Sequence, residues 1–290
     1  MTYEMLQVDA FTSHALGGNP CAIYPDARGL SDELMQRIAR EMNLSETSYV
    51  LPSERADFRV RYFTPAYELP MAGHPTIATT HALCELGRIK PDARQITLEM
   101  PAGIIPVSID RAHEHPRFIM RQLAPKFLRT YSREALADAL GLSVRDLRSD
   151  ATPQTVSTGV PQLMIALASV EALGRIRADV RTLLPGQEQR DYASVHVFAR
   201  DSGEVALRSR HFADFNGLVE DPFTGSASGG MAAYCARYGL VEASSYAIAQ
   251  GEHAGRPGTG YIRVLGTPDA IEGVEVGGEA VTVLRGTLVL

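Results

Sequence analysis

Ala72-Gly73-His74-Pro75-Thr76 and Thr224-Gly225-Ser226-Ala227-Ser228 are two similar turns, and their reading decides the fold. Each opens a helix-like segment of small and apolar residues, and each segment closes on a glycine, Gly87 or Gly239. The offset between the turns is 152 residues, and the closing glycines keep the same offset. A helix start offers unpaired backbone N–H groups and the positive end of the helix dipole. Two such starts facing each other across one cleft would receive a small anion.

The segments 76–86 and 228–238 carry only Glu85 and Arg237 as charges, both near the C-terminal end. A helix apolar on most sides is a buried helix. Pro75 suits the first helical position, where its missing N–H costs nothing. Gly229-Gly230 would weaken an exposed helix, so close packing or close ligand approach is expected there.

The similarity reaches further out. Arg61-Tyr62-Phe63 precedes the first turn and Arg210-His211-Phe212 the second, with three extra residues between. Gly18-Asn19-Pro20 and Gly159-Val160-Pro161 each lead into an apolar strand. The order of elements implies two copies of one domain, each a sheet around a central helix. A boundary is expected between about 110 and 130, where Arg111-Ala112-His113-Glu114-His115-Pro116 breaks periodicity.

Residues 57–63 alternate Phe58, Val60 and Tyr62 against Arg59 and Arg61, a half-buried strand pattern. Short strands are also expected near 5–8, 21–24, 49–51, 96–98, 118–120, 163–167, 194–198, 205–207, 261–264 and 281–284. Ser31 caps one expected helix, with Leu34, Met35, Ile38, Ala39 and Met42 on its apolar face. Ser132 caps another, ending at Gly141, and a third is expected over 169–184, stopped by Pro185-Gly186. All three read as surface helices packing on sheets.

The 290 residues suffice for two ordinary domains or one large one, and 45% apolar content supports a packed core. The net charge is −6, with no basic stripe interleaved with aromatics, so nucleic acid is not an expected partner. Local dipoles, not net charge, decide anion binding. No apolar run is long enough for a bilayer, so no membrane partner is expected. The N-terminus lacks the pattern of a signal peptide. Three widely separated cysteines, Cys21, Cys84 and Cys235, fit free thiols in a reducing cytoplasm.

Three residues invite chemistry. Glu46, in Asn43-Leu44-Ser45-Glu46-Thr47, is open to two readings: a proton shuttle near the interior, or a solvated loop carboxylate. His74, at a helix start, is either a neutral imidazole that relays a proton or a capping histidine satisfied by backbone. Asp221, four residues before a helix start, either orients His74 or a substrate amine, or is an ordinary Asp-Pro turn. Ser226 and Ser228 suit caps or anion donors, and His81 reads as a satisfied core residue. His14, His113, His115, His196, His211 and His253 show no ligand spacing, so no metal site is expected. There is no GxGxxG after a strand, no P-loop, no GxSxG and no HExxH. Cofactor-free proton chemistry on a small anion remains.

Several blocks resemble the phenazine-biosynthesis PhzF family: Asp9-Ala10-Phe11-Thr12, Gly18-Asn19-Pro20, the run from Met35 to Thr47, Phe63-Thr64-Pro65, Glu68-Leu69-Pro70, Ala72-Gly73-His74-Pro75, Glu220 to Ala227 and the closing Arg285 to Leu290. The resemblance implies an α+β fold of two pseudo-symmetric diaminopimelate-epimerase-like domains, each a barrel-like, mostly antiparallel sheet around a central helix. It implies domains 1–118, joined by the C-terminal strand 279–290, and 119–278. A homodimer is implied too, and no cofactor. Cysteine epimerases of this fold carry a thiol just before each helix-opening glycine. Ala72 and Thr224 stand there, so the two-thiol racemase reading fails, while Cys84 and Cys235 lie inside the helices.

By the same resemblance the substrate is 2,3-dihydro-3-hydroxyanthranilate. Glu46 would move a proton from C3 to C1, with His74 and Asp221 assisting. Asn19, Ser45, Gly73, Gly225 and Ser226 would bind the substrate, with backbone N–H groups near Gly73, Gly225 and Ser226 holding its carboxylate. Phe223 departs from the small alanine of many relatives, which puts a bulky ring beside the expected cleft. Three functions follow: this isomerisation, a related isomerase or epimerase of another small carboxylate, or a binding protein that kept the fold and lost catalysis.

Overall fold

The computed structural model describes residues 1–185, 187–214 and 218–290, and the expected helix stop at Gly186 lies outside them. The chain divides into two compact units, Met1–Met120 with Gly277–Leu290, and Arg121–Val276. In chain order the first half holds β1 (Thr2–Ala10), β2 (Asn19–Tyr24), α1 (Asp32–Met42), β3 (Glu46–Leu51), β4 (Phe58–Phe63), β5 (Glu68–Leu69), α2 (His74–Glu85), β6 (Gln95–Met100), β7 (Gly103–Asp110) and β8 (Arg117–Gln122). Then follow β9 (Lys126–Thr130), α3 (Arg133–Leu140), β10 (Gln154–Ser157), β11 (Pro161–Leu167), α4 (Val170–Arg175), α5 (Val180–Leu183), β12 (Ser194–Arg200), β13 (Leu207–Asp214) and β14 (Leu218–Asp221). The last elements are α6 (Gly225–Arg237), β15 (Ser245–Gln250), β16 (Gly258–Thr267), β17 (Ala270–Gly278) and β18 (Ala280–Val289). The polar run 111–116 joins β7 to β8 inside the first unit.

The same pairing order occurs in both units. In the first, β1–β2 is antiparallel, β2–β3 parallel, β3–β4 and β4–β5 antiparallel, β4–β6 parallel and β6–β7 antiparallel. In the second, β10–β11 is antiparallel, β11–β12 parallel, β12–β13 and β13–β14 antiparallel, β13–β15 parallel and β15–β16 antiparallel. The shared Arg-x-Phe has a physical basis. Arg61 makes a bidentate pair with Glu68 and stands 5.1 Å over the Phe63 ring. Arg210 does the same with Glu220 and Phe212, also at 5.1 Å. Fixed donor forks and a cation over an aromatic face tie each strand to the next. The terminal β18 lies antiparallel along β1, from Thr2 opposite Val289 to Ala10 opposite Ala280.

Local signals hold where capping chemistry is explicit. Ser31 accepts from the Leu34 N–H at 3.2 Å, and Asn43 closes α1 in the left-handed region. Ser132 accepts from Ala135, and Gly141, with φ +67°, closes α3. The expected helix over 169–184 is instead two short pieces. The N–H groups of Arg177 and Asp179 bond the Leu140 and Ala139 carbonyls at the end of α3, which draws the chain out of helix. The strand expected at 205–207 starts only at Leu207 and runs on to Asp214, so Arg210-His211-Phe212 lies inside it.

Both expected central helices are buried, α2 from His74 to Thr80 and α6 over most of its length. The hydroxyls of α2 find partners: Thr76 bonds Tyr62 at 2.8 Å and Thr79 bonds Ser48 at 2.7 Å. In α6 the glycines answer to close packing. A Cβ on Gly229 would stand 1.9 Å from Gln122 Oε1, and one on Gly230 2.5 Å from Met164 Cε.

Phe223 is fully buried, and its ring lies over Gly260 of β16, where an added Cβ would stand 2.7 Å from Cζ. The ring thus packs inside the second unit against β16. Phe223→Ala is expected to destabilise the protein by about 3–5 kcal/mol, read from urea denaturation midpoints, as for other buried Phe truncations.

Candidate active site

Glu46 reaches its position through the end of α1. Asn43, with φ 50° and ψ 34°, turns the chain out of the helix, and Glu46 opens β3 directly. β3 runs parallel to β2 with Glu46 opposite Cys21. The strand begins earlier than residue 49, and the Glu46 side chain is only 12% exposed, so the solvated-loop reading falls. Its Oε2 stands 3.1 Å from His74 Nε2.

His74 lies in the first turn of α2, behind Gly73 and ahead of Pro75, on a helix that packs against β1, β2 and β3. Burial pushes its imidazole down to about 3, while a hydrogen bond to the Pro20 backbone acts the other way. The expectation of a neutral imidazole stands, with burial rather than the helix dipole as the cause. Nε2 has no well-formed hydrogen bond, so the N–H donated to Pro20 is the one on Nδ1. A neutral ring with Nδ1–H turns the Nε2 lone pair toward a carboxyl oxygen at 3.1 Å. Two acceptors at that separation repel unless a proton lies between them. The pair is therefore built to carry one proton, on Glu46 or on Nε2. Asn19 is fully buried at the start of β2, the strand beside β3, and Ser45 directly precedes Glu46.

The second unit holds the other expected residues. Asp221 ends β14 and is buried, and it accepts a hydrogen bond from the Thr224 hydroxyl. Gly225 and Ser226 open the thirteen-residue α6. Neither serine caps it: Ser228 donates to the Thr224 carbonyl at 2.9 Å, and Ser226 accepts from Gln162 at 3.0 Å. Three glutamines not foreseen from sequence brace this turn. Gln122 donates to the Gly225 carbonyl at 2.8 Å, Gln162 holds Ser226, and Gln250 donates to the Asp221 carbonyl at 2.9 Å. They come from three separate strands, so no spacing in the chain could announce them.

His81 is half-buried and has no hydrogen bond at Nε2, contrary to the satisfied-core expectation; Glu85 stands 3.9 Å away. His196 and His211, remote in sequence, meet at 3.2 Å between their Nδ1 atoms. Among the described residues no group of three or more His, Cys, Asp or Glu could hold a metal ion. Among them, too, no helix is long and apolar enough to cross a membrane.

The architecture has known counterparts. A hydroxyproline epimerase from Agrobacterium vitis matches at a TM-score of 0.63 and 15% identity, over 99% of this chain and 91% of that one, and shares the fold alone. A Bacillus anthracis phenazine biosynthesis protein of the PhzF family matches at a TM-score of 0.91 and 33% identity, covering both chains fully. The trans-2,3-dihydro-3-hydroxyanthranilate isomerase of Pseudomonas chlororaphis is 37% identical over 286 residues, 98% of each chain. The family model described as phenazine biosynthesis-like protein matches residues 8–286. Fold and relatives together define an isomerase of mixed α+β architecture. The chain belongs to the phenazine-biosynthesis PhzC-PhzF family.

Proposed function

We propose that the protein is a cofactor-independent isomerase that moves a proton on a small cyclic amino or hydroxy carboxylate, as in isomerisation of trans-2,3-dihydro-3-hydroxyanthranilate. Glu46 takes the proton from C3 and returns it to C1 on the same face, and the double bond shifts between them. The observation that carries this reading is the buried Glu46 carboxyl 3.1 Å from a neutral His74. A single carboxyl that both gives and takes the proton suits a one-base shift. His74 exchanges the proton with Glu46, and Asp221 assists by hydrogen bonding. Asn19, Ser45, Gly73, Gly225 and Ser226 bind the substrate, with backbone N–H groups at the two helix starts on its carboxylate. The domains are proposed as 1–118 with 279–290, and 119–278. A homodimer is proposed as well, and light scattering at twice the chain mass would support it.

The test is turnover in deuterated water. Dihydrohydroxyanthranilate and a panel of cyclic amino and hydroxy carboxylates are incubated with the protein, and mass spectrometry follows isomer and label. Isomerisation of the first compound, with label at C1, supports the reading. Exchange in another panel member alone moves the assignment to that substrate. No exchange in any, with thermal stabilisation by one, returns the protein to a binding role.

A further inference from the structure

The pairing order repeated in the two units gives the Glu46–His74 pair a counterpart in the second. Glu46 opens β3 opposite Cys21 of β2, one residue after Pro20. Ser194 likewise opens β12 opposite Gln162 of β11, one residue after Pro161. His74 follows Gly73 at the start of α2, and Ser226 follows Gly225 at the start of α6. In the first unit two titratable groups meet at 3.1 Å. In the second, Gln162 reaches Ser226, with Nε2 3.0 Å from Oγ. The repeat keeps a polar contact at the helix start and builds it from groups that do not titrate near neutrality.

The direction of that contact fixes a proton. The amide N–H donates, so Ser226 Oγ spends a lone pair on Gln162 and its own O–H points elsewhere. Other hydroxyls at these helix starts turn back on the chain: Ser228 donates to the Thr224 carbonyl at 2.9 Å, and Thr76 to the Ala72 carbonyl at 2.7 Å. Among the described residues nothing accepts the Ser226 proton. Ser226 is half-buried, whereas Gln162 is only 2% exposed, so a held amide backs a reachable hydroxyl. The amide lies along α6: a Cβ on Gly230, one turn beyond Ser226, would stand 3.8 Å from Gln162 Oε1. Oε1 is buried and has no partner. The reverse assignment, with Ser226 donating, would put amide N–H groups in that unpartnered place, and orphaned buried N–H groups are the rarer case.

We infer that Gln162 is a positioning residue: by donating to Ser226 Oγ it makes the Ser226 hydroxyl a fixed donor to the carboxylate of a small ligand, resting on the proposed reading in which Ser226 binds substrate. Gln162, Ser194 and Ser226 bring no negative charge of their own to meet that carboxylate. The first turn of the thirteen-residue α6 favours the same charge through its dipole and unpaired N–H groups.

The test uses benzoate, a cyclic carboxylate with no proton to shift, and the full chain labelled with nitrogen-15. NMR follows the Gly225 and Ser226 backbone amide signals as benzoate is added, and in the parent they are expected to move and saturate. Gln162→Leu removes the amide at similar volume and is expected to raise the dissociation constant about tenfold, the size of one hydrogen bond to a charged group. Ser226→Ala is expected to do the same. The double variant is expected to lose no more than either single one, because Gln162 acts through Ser226, whereas a merely structural role would add the two losses. An unmoved Ser226 signal in the parent overturns the inference, and so does a parent-like constant in Gln162→Leu or an additive double variant. Where Gln162→Leu does not fold, Gln162→Met keeps the length of the side chain and stands in its place. None of these readouts needs turnover. An isomerase whose Ser226 signal ignores benzoate refutes this inference alone, and a protein that binds benzoate as expected yet moves no proton refutes the reaction alone.

Discussion

Glu46→Gln is expected to lose between about a hundredfold and ten-thousandfold in kcat while unfolding at nearly the parent temperature. The glutamine has the shape of the glutamate, and its amide N–H can donate to the His74 Nε2 lone pair that faces it at 3.1 Å. The buried contact therefore survives, and only the ability to gain and lose a proton is removed. Glu46→Asp gives the complementary result. It retains an acid but withdraws it by one methylene, and a misplacement of about 1 Å costs on the order of a hundredfold. Thermal melts and label incorporation on the same samples separate folding from chemistry. A Glu46→Gln protein that turns over at the parent rate would end the proposal.

Acid is expected to unfold this protein steeply, through histidines. His74 and His211 are pushed down to about 3 by burial, and His196 lies well below its ordinary value for the same reason. In the unfolded chain each binds a proton near the ordinary value of about 6.5. Between about 6.5 and 3 the unfolded state therefore holds more protons than the folded state. Stability is fully present above that window and is lost as pH falls through it. His74 shares one proton with Glu46 in the folded state, so His196 and His211 carry the slope, about 1.4 kcal/mol per pH unit each and about 3 together. Urea titrations at pH 7, 5.5 and 4.5 read this slope. Removing one member, as in His211→Gln, is expected to flatten it by about half. A flat dependence between pH 6.5 and 4.5 would show that these rings are not buried neutral in solution.

Much of the fold was legible along the chain because its signals are local. Ser31, Ser132 and Gly141 mark helix ends through hydrogen bonds within one turn. The alternation of residues 57–63 and the uncharged helices behind Gly73 and Gly225 report which faces are buried. The resemblance blocks carried the family, and the candidate residues Glu46 and His74 lie within them. The helix expected over 169–184 failed because two backbone N–H groups found partners on α3, and no pattern inside that window records a distant acceptor.

The amino-acid sequence by itself determined the two-fold order of elements, the α+β class and the identity of the proton-carrying candidates, because periodicity, capping and turn chemistry act over a few residues. Tertiary structure alone decided that Glu46 is buried against His74, that Phe223 fills the interior over Gly260, and that His196 meets His211. Those outcomes depend on strand register and on desolvation. Both arise from residues far apart in the chain, and a group's protonation is set by the surroundings that folding builds around it.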